Sequence, residues 1–241
     1  MARGDEARAP LIAVIGCDGS GKSTVSEAVL AWAKRFGPAE AVHLGKQSGN
    51  VGRKLVQLPL LGKSLDKAIV SQSKETYGQR GAKNPKLLPA LVVFGFQLRR
   101  LRRFRRMMAT WNKNVIIVSD RFPQVDVPGA YDGTLFSTTS PASPLVHWMA
   151  KRERAQFEWM TSHRPDLVIR LNVDIDTACA RKPDHKRDSL EKKVLATPLF
   201  TFKGAPIVDI DSTQPLADVV AQAQAAVTRT LTDRGYTLQA A

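Results

Sequence analysis

Residues 11–16, LIAVIG, form a short apolar run without polar alternation. That is the pattern of a strand buried on both faces. A second buried run lies at 115–120, and 41–45, 166–173 and 206–211 also read as strands. Between them the period changes. Val25, Val29, Leu30 and Trp32 share a helical stripe over 25–36, which Gly37-Pro38 stops. Over 87–111, Leu91, Phe94, Leu98, Leu101, Phe104 and Met108 recur at three- and four-residue steps, and Asn112-Lys113-Asn114 ends the run. Helical patterns also span 145–162, 174–181 and 215–231. Residues 121–144 read as a Pro- and Gly-rich loop and 182–193 as a charged excursion. Residues 46–86 read as loops around one or two short helices, with the apolar patch LVQLPLLGKSL. Buried strands alternating with helices predict an α/β fold, a mostly parallel sheet covered on both faces. The domain expectation is a flexible polar arm over 1–10 and a single domain over 11–241.

Charge narrows the partners. The chain of 241 residues has 36 Lys+Arg against 22 Asp+Glu, a formal net charge of +14 that favours an anionic partner. The two cysteines, Cys17 and Cys179, do not make a disulfide framework, which fits a reducing, cytoplasmic setting. No run approaches the ~18 apolar residues of a membrane-spanning helix, and the N-terminus lacks a signal-peptide core. His43, His147, His163 and His185 have no metal-ligand spacing.

The chemistry begins at GCDGSGKST, residues 16–24. Gly16, Gly21, Lys22 and Ser23 fit G-x-x-x-x-G-K-[ST] between a buried strand and an amphipathic helix. Glycines let the main chain wrap phosphates so that successive N–H groups point inward, and the helix N-terminus adds its positive end. Lys22 reaches toward the terminal phosphates and Ser23 toward Mg²⁺. A GTPase would carry a guanine-reading N-K-x-D stretch, and Asn112-Lys113-Asn114 lacks the acid. A second pair, Asp120-Arg121, ends the strand VIIVSD, where ligands bind in open α/β sheets. Its carboxylate suits a metal ion or a proton, and its guanidinium a phosphate.

With these residues in view, the chain resembles the thymidylate kinase family of nucleoside monophosphate kinases. GCDGSGKST is similar to that family's phosphate loop, with Asp18 as its third-position acid. Asp120-Arg121-Phe122 resembles its D-R-[YFH] segment, and Phe96 with Arg100 its upstream F-x-x-x-R. Gly129-Ala130-Tyr131 looks like the later A-Y segment, and Pro165-Asp166-Leu167-Val168 like the P-D-L-[VT] strand. TACARK resembles the helix leading into the mobile lid, and DIDSTQP the stretch that packs on adenine. The resemblance implies a three-layer P-loop NTPase fold with a lid at about 181–193, and an ATP- and Mg²⁺-dependent phosphotransferase acting on a nucleoside monophosphate.

It also implies roles. Gly16, Gly19, Ser20, Gly21, Lys22, Ser23 and Thr24 would hold ATP phosphates, with Asp211, Ser212 and Thr213 near the adenine. Ser23 and Asp120 would hold the metal. Asp18, Phe96, Arg100 and Arg121 would bind the acceptor, Asp18 facing a sugar hydroxyl and the two arginines a phosphate. Lys22, Asp120, Arg121, Arg181 and Arg187 would serve the transfer itself. The lid segment RKPDHKRDSLEKK carries Arg181, Lys182, Lys186 and Arg187, cations suited to closing over phosphates and excluding water.

The sequence departs from the family after its second strand, where an R-E-P-G stretch is replaced by HLGKQSGNVGR. The alternative acceptor is therefore a hydroxyl on a sugar or lipid-linked molecule, with Asp120 or Asp18 as base. RRLRRFRRMM, residues 99–108, crowds arginines around an apolar stripe. It motivates a rival reading, an ATPase docking on nucleic acid or an anionic membrane. The expected partners are a small-molecule phosphate acceptor, a second copy in a homodimer, and a membrane surface through 99–106, rather than nucleic acid.

Overall fold

The apolar runs at 11–16, 116–120 and 167–171 lie side by side as the middle of a five-stranded parallel sheet in a computed structural model that describes residues 8–45 and 84–239. In chain order the strands are β1 (Leu11–Gly16), β2 (Ala39–His43), β3 (Ile116–Asp120), β4 (Leu167–Asn172) and β5 (Ile207–Asp211). Their spatial order is β2-β3-β1-β4-β5. β1 is buried along its whole length because it has a strand on each side and helices above and below.

The helices are α1 (Lys22–Ala33), α2 (Leu87–Trp111), α3 (Pro144–Ser162), α4 (Ile175–Arg181), α5 (Arg187–Ala196) and α6 (Leu216–Asp233). They cover the sheet as two pairs, α1 with α6 and α2 with α3. The core joins β1, β3 and β4 to Val25, Val29 and Ala33 of α1, Phe104 and Met107 of α2, and Val219, Ala223 and Val227 of α6. No described helix is long and apolar enough to cross a membrane.

Three expectations are corrected. The arm over 1–10 is anchored at its end: Ala9 and Pro10 are buried, the Ala9 carbonyl accepts from the Trp111 indole, and Pro10 accepts from Ile117 N. The charged excursion over 182–193 contains a helix, α5. The apolar stripe of α2 is rotated in its first half. Leu91 and Leu98 face solvent, while Ala90, Val93, Gln97, Arg100, Phe104, Met107 and Trp111 face inward. The reading of 46–86 as loops with short helices lies, through residue 83, outside the described residues.

Candidate active site

The parallel register collects functional groups at the carboxyl edge of the sheet. Val14 of β1 and His43 of β2 both pair with Asp120 of β3, and Asn172 of β4 pairs with Asp211 of β5. The chain leaves β1 through Gly16–Gly21 and enters α1 at Lys22. Gly19 and Gly21 hold φ of 90° and 79°, a region L side chains rarely adopt. Gly19 also lies against α4: a Cβ there would sit 2.9 Å from the Ala178 carbonyl oxygen. Cys17 packs with Val173 and Ala178 beneath the loop, and burial pushes its thiol pKa up. The Lys22 ammonium folds into the loop and donates to the Cys17 carbonyl at 2.9 Å. Burial, then Arg121, lowers the Lys22 pKa against the pull of Asp18, Asp120 and Asp132. The buried Ser20 hydroxyl has no hydrogen-bond partner among the described residues. Ser23 and Thr24 are exposed on the first turn of α1.

Asp18 is the hub of the loop. Its Oδ1 accepts from Arg121 Nη2 at 3.0 Å, and its Oδ2 pairs with Lys193 of α5. Burial alone would raise its carboxyl, but Lys193, then Arg121 and Lys22, outweigh that and hold it well below the usual carboxylate range. Arg121 reaches the loop because its backbone turns left-handed after β3, at φ 60°. Such a conformation costs about 1–3 kcal/mol in a non-glycine residue and persists where the surroundings impose it. Its side chain crosses Gly45 so closely that a Cβ there would collide with Arg121 Cδ. Burial works against the Arg121 charge; Asp132, Asp18 and Asp120 outweigh it and raise its pKa.

Asp120 divides its carboxylate. Oδ2 bonds His43 Nδ1 at 2.9 Å, while Oδ1 is buried without a partner among the described residues. Burial raises its pKa, but the His43 bond and the charges of Lys22, His43 and Arg121 bring it below the ordinary value. An orphaned buried oxygen together with the Ser23 hydroxyl fits a hard cation such as Mg²⁺. No cluster of three or more His, Cys, Asp or Glu side chains suited to a metal occurs among the described residues.

α4 is capped by Asp174, whose Oδ1 accepts from Thr177 N at 2.8 Å. At its other end Arg181 lies across the phosphate loop, donating to the carbonyls of Gly19 at 3.2 Å and Ser212 at 2.9 Å. Ser212 is fixed by two bonds to the Asn172 carbonyl, and Asp211 accepts from both the amide and the hydroxyl of Thr213. Asn172, Val173, Asp174, Asp209, Asp211 and Thr213 line a cavity of about 550 Å³ beside these residues.

Two expected residues stand elsewhere. Arg100 does not face a cleft: it is fully buried, donating to the Asp132 carbonyl at 3.0 Å and to Asp132 Oδ1 at 2.7 Å. Its guanidinium also lies 5.5 Å from the Phe157 ring centre. Arg187 points into solvent and pairs with Asp176 at 2.8 Å. Phe96 is half-buried on α2. Sequence reasoning passed over Lys193, His43 and Asp132. Lys193 was visible as a cation of the lid segment; the pairing of His43 with Asp120 depends on a register that no local pattern reveals.

A phosphate loop after β1 of a parallel sheet ordered β2-β3-β1-β4-β5 defines a P-loop NTPase fold. No family model matches the chain. It is 37% identical over 218 residues to "Uncharacterized ATP-binding protein YghR" of Escherichia coli (strain K12), covering 90% of this chain and 86% of that protein. It is 36% identical over 214 residues to YghS of the same strain, covering 88% and 90%. The chain belongs to the family that these ATP-binding proteins represent. A solved structure of deoxyadenosine kinase from M. mycoides with bound dCTP aligns over 92% of this chain and 99% of that one, at 13% identity and a TM-score of 0.47. The fold assignment rests on the strand order and not on that alignment.

Proposed function

We propose that this protein is an ATP- and Mg²⁺-dependent phosphotransferase that passes the γ-phosphoryl group to a small-molecule acceptor, with a nucleoside monophosphate as the leading acceptor. The observation that carries the reading is the convergence on one loop of Lys22, Arg121 and Lys193 around Asp18, with Arg181 lying across the loop. Phosphoryl transfer is mainly positioning and charge stabilisation, so a ring of fixed cations is what it requires. Its relatives YghR and YghS are named as ATP-binding proteins, which supports the nucleotide.

Main-chain amides of Gly16–Ser23 and the Lys22 ammonium receive the phosphates, with the triphosphate displacing Lys22 from the Cys17 carbonyl. Ser23 and Asp120, whose Oδ1 has no partner among the described residues, would hold Mg²⁺, which would supply charge neutralisation for the phosphates. Arg181 and the 211–213 turn border the base. Arg121 clamps the acceptor's anionic end beside Asp18, and Lys193 on the lid helix shields the centre from water. Thymidylate is the first nucleotide to try because of the D-R-F and S-T-Q-P segments. A hydroxyl acceptor is the second reading, favoured by the His43–Asp120 contact at 2.9 Å, which holds an imidazole beside the reacting edge.

ADP release is measured with thymidylate, other nucleoside monophosphates and a panel of hydroxyl acceptors. Release that depends on one acceptor and falls about a thousandfold in Lys22→Ala supports the proposal. Release indifferent to every acceptor refutes phosphotransfer.

A further inference from the structure

Arg103 of α2 is a half-buried cation that forms no ion pair with an acid among the described residues. Its Nη1 donates to the His43 carbonyl at 3.4 Å, at the carboxyl end of β2. Its Nε and Nη2 are shielded from water and have no hydrogen-bond partner among the described residues. Those two nitrogens form the side-on edge of a guanidinium, whose parallel N–H groups match two oxygens of a phosphate or carboxylate. Burial, then Arg100 and Arg99, depresses the Arg103 pKa. The contrast with Arg100, one helical turn earlier, is direct. Arg100 is deeper, yet Asp132 meets two of its nitrogens. A protein does not keep an unmatched buried guanidinium edge without cost, because each unpaired donor has lost its water.

Position supplies the second argument. The carbonyl that Arg103 touches belongs to His43, whose ring holds Asp120. Arg121 follows Asp120 and crosses Gly45, two residues after His43. Arg103 therefore flanks the acceptor side of the centre, on the β2 side of Arg121, and not the nucleotide side, which lies toward β4 and β5. We propose that the free edge of Arg103 is an anion subsite for the acceptor, so that the acceptor is itself an anion carrying a phosphomonoester or carboxylate held against the end of β2. This rests on the kinase reading for the identity of the ligand as an acceptor. The subsite itself rests on the unpaired edge alone.

The test uses the full chain with its phosphate loop saturated by a non-hydrolysable ATP analogue and Mg²⁺. Inorganic phosphate and glycerol 3-phosphate are titrated by calorimetry into the wild type, Arg103→Gln and Arg103→Lys. The wild type is expected to bind both probes. Arg103→Gln weakens them about tenfold or more; Arg103→Lys, which keeps the charge and loses the edge, falls between. Analogue affinity stays unchanged in all three proteins. Thermal unfolding in phosphate-free buffer checks for a structural role: relief of an unmatched cation leaves the midpoint of Arg103→Gln equal or higher, and added phosphate raises the wild type alone. Equal phosphate affinity in wild type and Arg103→Gln overturns the proposal. So does no phosphate binding, or binding only to phosphatidylglycerol vesicles, which assigns the edge to a lipid surface. If the wild type fails to bind the analogue, the kinase reading falls instead. The phosphate comparison between wild type and Arg103→Gln is then made on the bare chain and still decides the subsite.

Discussion

Replacing Asp132 by asparagine removes the countercharge from a guanidinium that has no exposure at all. The amide keeps the shape of the carboxylate, so the loss is one of charge. Breaking a buried ion pair from one side costs about 3–5 kcal/mol, because the remaining charge stays desolvated. Glu153 also acts electrostatically on Arg100 and offsets part of that, while Arg121 acts against it. The expected loss is therefore near the low end, about 3 kcal/mol. In a domain of this size each kcal/mol lowers the melting midpoint by about 2–4 °C, giving a drop of about 6–12 °C. Thermal unfolding followed by circular dichroism reads it, and urea unfolding gives the free energy. Arg100→Met combined with Asp132→Asn removes the orphaned cation and is expected to recover part of the loss. An Asp132→Asn midpoint within about 2 °C of wild type, with a weakened acceptor KM, would refute the reasoning and return Arg100 to the substrate.

Gly19→Ala forces a side chain onto φ 90° and onto the Ala178 carbonyl; it is expected to cost about 1–3 kcal/mol in urea unfolding and to weaken nucleotide binding, and wild-type behaviour in both contradicts the loop geometry. Asp18 is held below the usual carboxylate range because Lys193, Arg121 and Lys22 outweigh burial. A depressed folded pKa contributes stability that is full above the unfolded value near 4 and is lost as pH falls through the folded one. The stability advantage of wild type over Asp18→Asn is therefore expected at neutral pH and to shrink as pH falls below about 4, and a gap independent of pH counts against the network. Lys193→Met is expected to lower kcat about 10- to 100-fold, whereas Arg187→Met, whose partner Asp176 is in solvent, changes it less than about threefold. The reverse order of the two effects would restore Arg187 as the lid's working cation.

Much of the frame was legible in the sequence because β1, most of β3 and the start of β4 are apolar runs, which leave little choice of element. The phosphate loop was legible because its glycines, lysine and serine occur in consecutive order. Arg100 was given to the acceptor by its resemblance to the F-x-x-x-R segment; its burial was not legible because Asp132, which makes that burial tolerable, lies 32 residues away in the chain. Apolar spacing put Leu91 and Leu98 on the buried face of α2, which Gln97 and Arg100 occupy instead. α5 could not be bounded from the sequence because Leu190 and Ala196 are its buried residues, too sparse an apolar stripe to mark a face. Lys193 is recognisable only once that helix brings it to Asp18. The contact of His43 with Asp120 follows from strand register, a property of the folded sheet.

The central claim is that the loop after β1 holds a triphosphate through Lys22. Calorimetric titration of Mg²⁺ and a non-hydrolysable ATP analogue into wild type and Lys22→Ala tests it most directly. Saturable one-to-one binding by wild type, lost at least tenfold in Lys22→Ala with the melting midpoint retained, is the expected result. Equal affinity in the two proteins, or no binding to wild type, would contradict it.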